Sequence, residues 1–95
     1  MEEKTKIAIH DTLYKYCHDF LQTQEITHAA NEIIKDPTED TILKMTTYLD
    51  SFDTVRYGEG SGQYYLMPTT LNKSLTANNV RYAMSDIRKI IAGGN

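Results

Sequence analysis

Thr54-Val55-Arg56-Tyr57-Gly58-Glu59-Gly60-Ser61-Gly62-Gln63-Tyr64-Tyr65-Leu66-Met67 is the stretch on which the reading of this chain turns. Its two ends, Thr54 to Tyr57 and Gln63 to Met67, are short runs of β-branched, aromatic and aliphatic residues that suit a pleated, half-buried surface. Between them, three glycines in five residues supply the positive-φ positions that a tight connection needs. Pro68 cannot donate to a ladder, so it closes the second run. The sequence therefore predicts a β-hairpin with a glycine-rich tip. Gly58-x-Gly60-x-Gly62 has neither the strand-to-helix setting nor the lysine of a phosphate-binding loop, so its glycines belong to the hairpin.

Everything before the hairpin reads as helix. From Lys4 to Gln22, Ile7, Ile9, Leu13, Tyr16, Cys17, Phe20 and Leu21 recur at three- and four-residue steps, leaving Lys6, Asp11, Lys15 and Asp19 for solvent. The pattern breaks over Gln22 to Glu25. Thr27 can then cap a short second helix to Ile34 with Ala29, Ala30, Ile33 and Ile34 as its stripe. Asp36-Pro37-Thr38 is a stop followed by a start, because a residue before proline avoids helical torsions and Thr38 offers a capping oxygen. A third helix to Asp50 buries Ile42, Leu43, Met45 or Thr46, and Leu49, with Glu39 and Asp40 in the first turn, where negative charge suits the helix dipole. After the hairpin a loop is expected from Thr69 to Lys73. A last helix follows from Thr76 to Ala92, with Gly93-Gly94 as its stop. Its apolar stripe, Val80, Ala83 or Met84, Ile87, Ile90 and Ile91, either is consumed by the single core or stays partly free at Ile87, Ile90 and Ile91 for a symmetry mate.

This order, with Glu25-Ile26 as a short strand, Thr27 to Ile34 as a scaffold helix, Lys35 to Thr38 as the turn, Glu39 to Asp50 as a third helix and Thr54 to Met67 as a wing, resembles the winged helix-turn-helix superfamily. The resemblance implies a mostly α fold with a small β-hairpin (α+β, order α-(β)-α-α-β-β-α). One domain over residues 1–95 would hold its motif at 25–67 and flanking helices at about 4–22 and 76–92. In DNA-binding members the third helix enters the major groove and the wing reaches the minor groove or phosphates. Carried onto this chain, the DNA-binding residues are Thr38, Thr41, Lys44, Thr47 and Tyr48 on the helix, and Arg56, Tyr57 and Ser61 on the wing. Met84, Ile87, Ile90 and Ile91 on the last helix are the expected dimerisation stripe, which would present two such helices to a pseudo-palindromic double-stranded DNA site. The function implied is that of a dimeric transcriptional or replication regulator. Glu39 and Asp40 depart from this pattern, because carboxylates at the leading end of a groove-reading helix face phosphates of the same sign. They open an alternative: a protein-interaction module or inhibitor that meets a basic partner through an acidic third helix, without DNA.

Composition narrows the classes. The 95 residues, 40 % hydrophobic and 24 % charged, suit one folded domain with one core and exclude the low-apolar mixture of disordered chains. The net charge of −3 argues against non-specific coating of nucleic acid. Positive charge gathers in the C-terminal part, at Arg56, Lys73, Arg81, Arg88 and Lys89. Cys17 is the single cysteine, which excludes an internal disulfide and a multi-cysteine zinc site. No apolar run reaches the roughly 20 residues of a membrane span, and the first residues lack the order of a signal peptide, so a cytoplasmic protein is expected. His10 and His18 lie about 12 Å apart along one helix, too far to share a metal ion. Cys17 falls on the apolar face, away from any pairing with His28 as a nucleophile. No cofactor, metal or catalytic residue is expected, and the chain does not read as an enzyme.

Overall fold

The computed structural model describes residues 1–52 and 69–94, with side chains over 1–52 and 77–93. The expected hairpin, residues 54–67, lies outside the described residues, and Arg56, Tyr57 and Ser61 with it. Four helices make up the described chain: α1 (Glu3–Cys17), α2 (Thr23–Lys35), α3 (Glu39–Asp50) and α4 (Thr69–Lys89). The last opens into a wider, π-type turn over Ile90–Gly94. Among the described residues there is no strand, so the α+β winged-helix expectation is corrected to an all-helical fold.

Two helix starts differ from the expected ones for local reasons. Glu25 and Ile26, expected as a short strand, sit in the first turn of α2, which begins at Thr23 rather than Thr27. The start is set by Glu25, whose carboxylate accepts from the Gln22 backbone N–H at 3.0 Å, the reach-back that ties the third helical residue to the residue before the helix. At the other end of the chain, α4 begins at Thr69, where a loop to Lys73 was expected. No glycine or proline interrupts the sequence from Thr69 to Ala92, so nothing local stops the helix from extending back over two further turns. It stops where glycine allows, with Gly93 at φ 96° in the left-handed region. The α3 boundary follows its expected cap: Thr38 Oγ1 accepts from the Thr41 N–H at 3.3 Å, and the Thr41 hydroxyl donates to Asp36 at 2.8 Å.

Side-chain pairs link the helices. His10 meets Thr27 and His28 meets Tyr48, while Glu39 pairs with Arg88 and Asp50 with Arg81. Tyr16 donates to Asp86 at 2.8 Å. The two ion pairs set α4 antiparallel to α3, and the short connections turn α2 back on α1 and α3 back on α2; α1 packs on α2 and α4 while α3 packs on the same two from the diagonal corner, the layout of an up-down-up-down four-helix bundle. One core fills the middle, with Ile9, Leu13 and Cys17 from α1, Ile26, Ala29, Ala30 and Ile33 from α2, Ile42 and Leu49 from α3, and Val80, Ala83, Met84 and Ile87 from α4. None of the described helices is long and apolar enough to cross a membrane.

Two apolar residues expected inside lie outside. Ile7 is 52 % exposed and Leu43 is 54 % exposed. Helix geometry explains both, because two residues of α-helix turn the chain by about 200° and one residue by about 100°. Ile7 cannot share a face with Ile9, and Leu43 falls off the line set by Ile42 and Leu49.

Candidate interaction surface

Of the residues expected to read DNA, five lie among the described residues, and they differ in exposure. Thr41 is buried and holds Asp36, and Thr38 is occupied as the cap. Tyr48 is half-buried, edge-on to Phe52 at 4.9 Å and tilted against His28 at 5.0 Å. Lys44 and Thr47 do face solvent. Three cations on this side of the bundle are matched within the chain. Lys44 pairs with Asp40 at 3.1 Å one turn earlier, Arg81 with Asp50 at 3.0 Å, and Arg88 with both oxygens of Glu39 at 2.8 and 2.7 Å. The guanidinium of Arg88 holds the Glu39 carboxyl below its usual range, chiefly through that hydrogen bond, and is itself raised in return. Each of the three carboxylates of α3 is thus matched by a cation, and the helix presents neither a basic nor an unbroken acidic face.

The expected dimer stripe on the last helix is turned inward. Met84 and Ile87 are fully buried in the core of their own chain, and Ile90 and Ile91 are half-buried against it. A 95-residue bundle needs those side chains to close its interior.

Among the described residues, Leu43 on α3 and Tyr82 on α4 are exposed singly, and the outer side of α1 presents a row of apolar and aromatic groups. Ile7 and Tyr14, the latter 41 % exposed, stand seven residues apart on one line of the helix. Flat rings are stacked along it: His10 over Tyr14 at 6.5 Å and 10°, and Tyr14 over His18 at 4.9 Å and 12°. The His18 Nδ1–H donates to the Tyr14 carbonyl at 2.9 Å, which fixes the last ring of the stack. Beside this ridge an open groove of about 430 Å³ runs between α1 and α2, with Ile7, His10 and Asp11 on one wall and Asn31 and Ile34 on the other. The wall is polar at its rim, where Glu3 faces Lys6 at 3.9 Å and His10 Nδ1 lies 3.6 Å from Asp11. Rings of this kind offer large contact area at little conformational cost, and a charged rim offers orientation.

Groups capable of chemistry are dispersed. Among the described residues no three His, Cys, Asp or Glu side chains are placed to hold a metal ion. Cys17 is buried, and that burial pushes its thiol up to about 12, so it remains an inert thiol of the core.

Sequence reasoning missed the α1 ridge by counting Ile7 into the core. The signal was present: Ile7, Tyr14 and His18 repeat at seven and four residues on a line distinct from Ile9, Leu13 and Cys17. The fold and this face together define a small all-helical bundle with an outward aromatic ridge. No family model, curated protein or solved structure matches the chain.

Proposed function

We propose that this protein is a small helical interaction module that binds another polypeptide through the outer face of α1 and the α1/α2 groove. The observation that carries the reading is the stacked ridge of His10, Tyr14 and His18 with exposed Ile7 at its end, set beside an open groove. DNA recognition is the weaker reading, because Lys44, Arg81 and Arg88, three of the cations it relies on, are each engaged by a carboxylate of the same chain. Phosphate binding would have to displace those partners first. No catalytic step belongs to this reading, and a cytoplasmic setting, where Cys17 stays reduced, is part of it.

Two measurements test it. A photo-crosslinking amino acid at position 14 should yield polypeptide adducts in cells of the source organism, while the same group at position 47, on the exposed side of α3, should yield none. On a column of fragmented genomic DNA at low salt the protein should pass unretained. Salt-sensitive retention on DNA, or equal adduct yields from the two positions, would end the proposal.

A further inference from the structure

We draw no further inference here: the strongest candidate, the outward row of Ile7, His10, Tyr14 and His18 on α1 beside the α1/α2 groove, belongs to the surface already described, and nothing in the structure shows what covers it.

Discussion

Tyr16 shows how single side chains tie the bundle together. Its hydroxyl donates to Asp86 at 2.8 Å, its ring lies 6.3 Å from Tyr82, and Lys15 rests over it at 5.3 Å, so one residue of α1 fastens α4 along that seam. Losing the phenolic proton would break the bond and set a phenolate against a carboxylate, and for this reason the hydrogen bond to Asp86, before any effect of burial, holds the Tyr16 pKa above its usual 10.0. A group whose folded-state pKa is raised contributes stability that is intact below its unfolded value and lost as pH climbs through the folded one. Urea midpoints measured above pH 10 should therefore fall with pH, and Tyr16→Phe should flatten that decline. Cys17 makes a second expectation at this scale. Its thiol sits in the core at about 12, so a thiol-specific reagent at pH 8 should label the protein no faster than it unfolds, with labelling rising along the urea transition.

At the scale of the element, α3 was legible in its ends and in its core line through Ile42, Met45 and Leu49, and misjudged only at Leu43. Pro37 and the Thr38 cap set its start, and Thr38→Ala should cost about 1 kcal/mol of stability in urea unfolding. Its core line runs through Ile42 and Leu49, with Thr41 buried beside it on hydrogen bonds to Asp36 and Thr38, and Leu43 outside that line. Leu49→Ala should then cost about 2 to 5 kcal/mol by opening a cavity, whereas Leu43→Ala should stay within about 0.5 kcal/mol. Equal losses at the two positions would mean that α3 is rotated. The same rotation argument places Ile7 outside on α1, where the heptad-spaced line with Tyr14 runs apart from the Ile9, Leu13 and Cys17 line.

Across the whole molecule, charge closes the bundle where the core does not reach. The Glu39–Arg88 and Asp50–Arg81 pairs span α3 and α4 near both ends of α3, and both are exposed to screening, so each contributes modestly. Glu39 has its carboxyl held below the ordinary value by the Arg88 hydrogen bond. Stability from a lowered carboxyl is present above its unfolded value of about 4.5 and is lost as pH falls through the folded one. Glu39→Gln should accordingly reduce the slope of stability against pH on the acid side and leave it unchanged near pH 10. Adding 1 M salt should shrink the difference between the two proteins at pH 7.

Several features were determined by sequence alone. Helix over most of the first fifty residues, the cap at Thr38, the stop at Gly93 and one core with a lone inert thiol all depend on contacts within a few residues or on periodicity along one helix. Tertiary structure decided which side chains those helices bury and which they pair. The sequence-based reading sent Met84 and Ile87 to a partner and Arg81 and Arg88 to a positive patch, because intrinsic preference says nothing about which residue of another helix lies opposite. Packing brought Glu39 and Asp50 against those arginines, drew the α4 stripe into the core and left the ridge of Ile7, Tyr14 and His18 facing outward. A side chain's partners across a bundle are fixed by the phase and direction of whole helices, and those quantities are settled only when all four pack at once.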